Sequence, residues 1–306
     1  MKYRRLGQTG LEVSVFGIGT YQYGGEWGKD FTPNEVRLIL DRGSDLGCNL
    51  IDTAECYGDH VSEDLIGQAI SGSRNKWIIA TKFGHRFCPG FKREQLWDSK
   101  SVARQLDLSL KSLQTDHIDL YLFHSGTTEN LLNDELWTLL DKQVSAGKIG
   151  NLGISIGKSI PDPLRQVELA SDLGVKVIEV LYNRLDRFPE NDIFASCIRQ
   201  DLGVIGRVPL ASGLLSGKYH PGVQFNINDV RSTQDQATID ANLRRVDEIR
   251  ETEIPAGVNM AQWAVAWCLR HPAVQTCITG FKDKQQLEDI IAGVDLVSDA
   301  HPSAMR

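Results

Sequence analysis

Asp52, Tyr57, Lys82 and His124 are the residues of this 306-residue chain whose chemistry and placement fit together. Asp52 closes the run Asn49-Leu50-Ile51-Asp52, and Tyr57 follows in Thr53-Ala54-Glu55-Cys56-Tyr57-Gly58. Lys82 ends Trp77-Ile78-Ile79-Ala80-Thr81-Lys82, and His124 ends Ile118-Asp119-Leu120-Tyr121-Leu122-Phe123-His124. Three short apolar runs, each read as a strand, thus deliver an acid, a phenol, an ammonium and an imidazole to strand ends or the adjoining loop. A free phenol titrates near pH ~10, so Tyr57 keeps its proton at neutral pH and is a poor donor unless its phenolate is stabilised. An ammonium within a few Å supplies that stabilisation and lowers the phenol's pKa; Lys82 is the candidate. Burial would discharge Lys82 unless a carboxylate compensates, and Asp52 is the candidate counter-ion. His124 is either a neutral donor that fixes a carbonyl oxygen or a proton relay. The set suits a reductase, and the hydride has to come from a cofactor because no side chain supplies one. No nucleophilic constellation and no Cys–His pairing is expected.

The elements that position these groups recur roughly every thirty residues. Strand candidates are 16–19, 50–52, 77–82, 118–124, 149–155, 176–180, 204–208 and 276–280. Between them lie stretches of helical period: Val36, Ile39, Leu40 and Leu46; Leu65, Ile66, Ala69 and Ile70 after Ser62; Val102, Leu106, Leu110 and Leu113. Thr32-Pro33-Asn34-Glu35 reads as a helix start, the Thr hydroxyl capping free amides and proline occupying the first turn. Eight such units close into an α/β, (β/α)8 TIM barrel, a single domain over residues 1–306. Residues 3–15 are expected to form a hairpin turning at Gln8-Thr9-Gly10 that plugs the barrel bottom. Residues 209–256 are expected to hold a cofactor loop and an extra polar helix before the last strand, with 222–235 mobile. The stretch Ala300–Met305 is expected to cover part of the barrel mouth.

Composition narrows the class. Hydrophobic residues make up 41% and charged residues 24%, and the formal charge of −7 argues against nucleic acid or an acidic membrane as partner. The 6 cysteines show neither Cys-x-x-Cys nor any local metal-ligand spacing, so no metal is expected and the thiols read as reduced in a cytoplasmic protein. Cys56 falls in the suspected active-site loop. No apolar h-region opens the chain and no run approaches ~18 apolar residues, so neither a signal peptide nor a membrane span is expected.

The segments 49–58, 79–82 and 113–124 resemble the signatures of the aldo-keto reductase superfamily. Gly147-Lys-Ile-Gly-Asn-Leu-Gly-Ile-Ser155 and Pro209-Leu-Ala-Ser-Gly-Leu-Leu-Ser-Gly-Lys-Tyr219 fit the same family. The likeness runs from residue 3 to about 291, with a loop pattern similar to the bacterial branch of general-stress and sugar-metabolism members. It implies a barrel that binds NADPH in extended form and reduces aldehydes, ketones or sugar carbonyls. Tyr57 becomes the general acid, Lys82 its pKa depressor, Asp52 the partner of Lys82, and His124 the carbonyl orienter.

The resemblance also places the cofactor. Gly19, Thr20, Tyr21 and Asp52 are expected among its contacts. Pro209, Leu210, Ser212, Gly213, Leu215, Ser216 and Lys218 would wrap the pyrophosphate with backbone amides. Gly280, Lys282, Lys284 and Gln286 would meet the adenosine ribose and its 2′-phosphate, with the two lysines favouring NADPH while NADH stays open. Gln286 and Ile290 depart from the Arg and Asn of many relatives, which counts against NADP. At the nicotinamide end Ser155 is kept, Ile156 replaces an Asn and Glu179 a Gln. A carboxylate only accepts, so Glu179 can take the carboxamide NH2 but not serve its oxygen. Arg207 stands where relatives stack an aromatic ring, and its guanidinium plane can stack and pair with Glu179. Substrate contacts are expected from Trp27, Phe87 and Trp97, which form an aromatic wall or are simply packed, and from Ser125, a hydroxyl partner suited to a polyol.

Two other readings stay open. Some relatives, such as potassium-channel β subunits, use this fold as a non-catalytic NADPH-binding regulatory module. A barrel aldolase or lyase with Lys82 as Schiff-base nucleophile is the other. A small-molecule carbonyl is the expected partner; oligomeric state is left open.

Overall fold

The computed structural model describes residues 1–157 and 161–297. Twelve strands are formed: β1 (Tyr3–Arg5), β2 (Glu12–Ser14), β3 (Phe16–Gly19), β4 (Leu50–Asp52), β5 (Ile78–Phe83), β6 (His85–Cys88), β7 (Lys92–Gln95), β8 (Ile118–His124), β9 (Ile149–Ile156), β10 (Val175–Leu181), β11 (Gly203–Arg207) and β12 (Thr276–Gly280). Eight of them, β3, β4, β5 and β8 to β12, pair in parallel and close into a barrel. The longer helices pack outside: α1 (Pro33–Asp45), α2 (Val61–Ile70), α3 (Ser99–Ser112), α4 (Thr128–Leu131), α5 (Asp134–Ser145), α6 (Pro163–Glu168), α7 (Ile193–Arg199), α8 (Gln236–Glu253), α9 (Met260–Leu269) and α10 (Lys284–Ile291). Four of the eight expected barrel strands coincide with the observed bounds; the other four shift by one residue at one or both ends, as terminal residues fray.

The strand period of two decides what the barrel holds. Ile51, Ile79, Tyr121, Ile154, Ile178 and Val204 point outward into the apolar layer shared with the helices. Leu50, Ala80, Leu120, Leu122, Val177, Ile205 and Ile278 form a second, inner cluster. Two residues beyond these inner positions come Asp52, Lys82, His124, Glu179 and Arg207. The register aligns Asp52 with Ala80, His124 with Ser155, and Ser155 with Glu179. The polar side chains therefore form one layer at the C-terminal rim, directly above the apolar filling.

The other end is closed by the expected hairpin. β1 and β2 pair antiparallel, and Leu6 and Val13, both at 0% exposure, join the inner apolar cluster. Gly7 adopts φ +50°, and a Cβ there would sit 2.1 Å from the Gly203 amide nitrogen, so the turn needs glycine to seat against the start of β11.

Local signals explain much of the rest. Thr32 caps α1 in a reciprocal box, its hydroxyl accepting from the Glu35 amide while Glu35 accepts from the Thr32 amide at 2.9 Å. The segment 222–235, expected to be mobile, makes specific contacts. Gly28 donates its amide to Asn228, Val230 donates to Glu26, and the buried Arg231 pairs with Asp229 at 2.6 Å, so this stretch is clasped to the loop after β3. Residues 85–95, which the sequence reading did not assign to any strand, form the rim hairpin β6–β7. Ala300–Met305, read as a mouth cover, lies outside the described residues. No helix among the described residues is long and apolar enough to cross a membrane.

Candidate active site

Lys82 is the hub. Its ammonium donates to Asp52 Oδ1 at 2.6 Å and to the Thr53 carbonyl at 2.8 Å, and it reaches Tyr57 Oη at 3.5 Å. Glu179 Oε2 stands 3.6 Å from the same nitrogen. Burial works against the charge on Lys82, but Asp52 and Glu179 outweigh it and raise the ammonium's pKa, so it stays a cation. The two carboxylates respond oppositely. Burial, then Glu179, push Asp52 up, while Lys82 and Arg207 overcome burial to pull Glu179 down.

The sequence reading had Lys82 lowering the Tyr57 pKa. Burial is instead the larger influence and raises it; Lys82 acts in the opposite direction and only limits the rise. Tyr57 is consequently a firmly protonated donor. His124 is held neutral: burial first, then His85 and Lys82, drive its pKa far below the usual imidazole value. Its ring meets Tyr57 edge-on, with centroids 6.4 Å apart, and stacks on His85 at 4.6 Å.

Backbone contacts aim Tyr57. A Cβ on Gly24 would lie 2.5 Å from the Tyr57 carbonyl carbon, and one on Gly58, at φ +69°, would lie 2.6 Å from the Gly24 oxygen. The loops after β3 and β4 thus touch backbone to backbone. Beneath them Thr53, Ser62 and Thr20 hydroxyls chain together and end on the Asp52 carbonyl.

These groups open into a cleft of ≈ 650 Å³. Of the expected cofactor contacts, Gly19, Thr20, Tyr21, Asp52, Glu179, Arg207, Pro209, Leu210, Ser212, Gly213, Ser216, Lys218, Gly280, Lys282 and Gln286 line it. Three do not reach its wall. Leu215 is fully buried in the core, Lys284 opens α10, and Ser155 lies one layer back, donating to Glu179 Oε1 at 2.8 Å. Ser155 also sits in a Gly-x-Ser-x-Gly spacing at 153–157, but inside β9 and not on a strand-to-helix turn, so no nucleophile elbow forms. Of the expected substrate residues only Trp27 lines the cleft. Trp97 packs on Phe123 at 4.4 Å, Phe87 lies against Arg93, and Ser125 faces the Ser155 carbonyl. Sequence reasoning missed Arg93, Phe91, Gln234, Asn259 and Arg231 as lining residues. Arg93 is ion-paired with Glu26 and sits on the unforeseen rim hairpin. Cys56 Sγ comes within 3.9 Å of His124 Nδ1, overturning the expectation of no Cys–His pairing.

The corner of the cleft formed by Glu179 and Arg207 has the chemistry to meet a planar amide-bearing group. Arg207 Nε is 3.7 Å from Glu179 Oε1, and both Arg207 Nε and Glu179 Oε2 are buried without a hydrogen-bond partner among the described residues. Buried polar atoms are normally satisfied, so the Arg207 Nε donor suits a ligand, while Glu179 Oε2 has the Lys82 ammonium near it, at 3.6 Å. Val208, just beyond Arg207, is held at φ +59°, a strained conformation for a β-branched residue.

A closed parallel barrel with its ionisable layer at the C-terminal rim defines an α/β-barrel enzyme. A family model described as the aldo/keto reductase family matches residues 15–302, and the chain belongs to that family, as an oxidoreductase. It is 30% identical over 95% of its length to the uncharacterized oxidoreductase YqkF of Bacillus subtilis, covering 90% of that protein. It is 27% identical, over 97% of the chain and 92% of the relative, to a "probable voltage-gated potassium channel subunit beta" of Arabidopsis thaliana. Among solved structures, the holo form of aldo-keto reductase AKR11C1 from Bacillus halodurans superposes with a TM-score of 0.82 at 28% identity, covering 99% of this chain and 95% of the other.

Proposed function

We propose that the chain is an NADPH-dependent carbonyl reductase that converts an aldehyde, ketone or sugar carbonyl to an alcohol, with Tyr57 as general acid. The observation that carries this reading is Tyr57 Oη at 3.5 Å from a Lys82 ammonium that is itself 2.6 Å from Asp52. A nicotinamide cofactor bound in the cleft supplies the hydride. Glu179 and Arg207 hold its carboxamide end, Ser212, Gly213, Ser216 and Lys218 face the phosphates, and Lys282 with Gln286 faces the adenosine. Lys282 gives the cleft's adenosine end a cation suited to a 2′-phosphate, which favours NADPH; NADH remains the alternative. Neutral His124 donates a hydrogen bond that orients the substrate carbonyl. As charge develops on the carbonyl oxygen, Tyr57 passes it a proton, and Lys82 stabilises the phenolate left behind.

The experiment is a fluorescence titration with NADPH and NADH followed by a panel of aldehydes, ketones and sugars. Binding of at least one cofactor, turnover, and its loss by about 10²–10⁴-fold in Tyr57→Phe are expected. Tight cofactor binding without turnover on any carbonyl would favour the second reading, a regulatory module, which the 27% identity to a potassium-channel β-subunit relative brings into view. Borohydride trapping of a substrate on Lys82 would point to aldolase chemistry instead.

A further inference from the structure

Three groups with metal-ligating atoms converge on the wall of the cleft beside Tyr57: the Cys56 thiol, His85 and His124. They come from three separate places, the loop after β4, the first strand of the rim hairpin and the end of β8. One ligand atom of each lies within 4.8 Å of the other two. Cys56 Sγ is 3.9 Å from His124 Nδ1, and the two imidazole rings stack with centroids 4.6 Å apart. His85 Nε2 is buried and has no hydrogen-bond partner among the described residues. The tetrad chemistry uses neither Cys56 nor His85.

We propose that Cys56, His85 and His124 form a binding site for a thiophilic divalent cation, Zn²⁺ above all, whose occupation closes the carbonyl pocket. Three atoms no more than 4.8 Å apart lie within about 2.8 Å of a common point, against zinc bonds of about 2.0–2.1 Å to nitrogen and ~2.3 Å to sulfur. Each ligand atom therefore moves inward by roughly half to three quarters of an ångström, within reach of side-chain rotation. One thiolate with two imidazoles selects zinc-like ions over magnesium or calcium, which prefer oxygen. Three protein ligands leave a fourth position to water, the pattern of an exchangeable and not a structural site. On binding, Cys56 gives its thiol proton to solvent, and the thiolate cancels half of the incoming charge. Lys82, Arg93 and Arg207 lie in the same neighbourhood and repel the cation, which keeps affinity moderate. The inhibitory consequence rests on the proposed role of His124: an ion bound there occupies that imidazole and fills the space where the carbonyl would sit.

The test is a Co²⁺ titration of the chelator-treated full-length chain, with Co²⁺ standing in for Zn²⁺. A thiolate-to-cobalt charge-transfer band should saturate at about one equivalent per chain and be bleached by Zn²⁺. Cys56→Ser should abolish the band, and His85→Ala, which keeps the thiol, should weaken binding at least tenfold. Zn²⁺ should inhibit carbonyl turnover competitively with the carbonyl substrate and be reversed by chelator. Absence of the band, its persistence in Cys56→Ser, or indifference to His85→Ala would each overturn the proposal. The cobalt band needs no turnover, so it reports on the site even if the reductase reading fails. A chain that reduces carbonyls yet shows no band loses only the metal site.

Discussion

Replacing Lys82 by Met removes a cation that two functions share. At 3.5 Å from the Tyr57 oxygen and an effective dielectric of about 20, one unit charge is worth about 5 kcal/mol, or between three and four pKa units. The phenol, already raised by burial, would lose the Lys82 cation that works against that rise from hydrogen-bond range. Turnover should fall by ~10²–10⁴-fold. The same change strands Asp52 beside Glu179 with no ammonium between them, at a cost of about 3–5 kcal/mol in folding. Protonating Asp52 relieves that cost. The variant should therefore lose stability, relative to the parent, as pH rises above the ordinary carboxyl range, where the unfolded chain sheds a proton that the fold must keep. Lys82→Met combined with Asp52→Asn should recover most of the stability and none of the turnover. Urea unfolding read by tryptophan fluorescence gives the first quantity, and single-turnover decay of nicotinamide absorbance the second. A Lys82→Met chain within threefold of the parent rate, or a double variant that regains activity, would refute the reasoning.

Three further outcomes are expected. Burial, against the hydrogen bond from the His85 amide, raises the Glu55 carboxyl to about 8, so the folded chain holds a proton the unfolded chain has released; stability should decline from roughly pH 4.5 to pH 8. Glu55→Gln should remove that decline and gain a few kcal/mol at about pH 9, and equal unfolding midpoints for the two chains there would contradict it. Arg207→Ala should weaken nicotinamide-cofactor binding about tenfold, near 1.4 kcal/mol, in a fluorescence titration; an unchanged dissociation constant would remove Arg207 from the cofactor's face. Leu6→Ala should cost about 2–5 kcal/mol in denaturant unfolding while leaving kcat intact, since Leu6 fills the barrel end opposite the tetrad; a fall in kcat at unchanged stability would break that separation.

Periodicity made the barrel legible because its strands are buried on both faces and most outer helices on one, leaving unmistakable runs such as 118–124. α9 escaped because Met260 and every residue from Trp263 to Leu269 are buried, which erases the amphipathic stripe that marks a surface helix. The rim hairpin escaped because its strands carry mixed polar residues around a Pro89-Gly90 turn and, among the described residues, pair with each other and not with the barrel. Asp52, Lys82 and His124 were legible because strand ends announce themselves. Arg231 was not: it sits in a polar stretch whose order comes from Asp229 and from the Trp27, Tyr219 and Phe225 rings around its guanidinium, partners distant in sequence or unreadable as such. Cys56, His85 and His124 likewise show no local spacing, since their meeting depends on barrel closure.

The contact of Gly24 with Gly58 separates two kinds of freedom around the rim. Any graft that alters the first loop must retain a bare backbone at that crossing, or Tyr57 loses its aim, so this part of the scaffold resists redesign. β6–β7 is tied to the site at its base, where His85 stacks on His124 and Arg93 pairs with Glu26, so only the tip around Pro89-Gly90 is a cassette: exchanging it for one of another length or charge would alter the rim of the cleft while Tyr57 stays where it is.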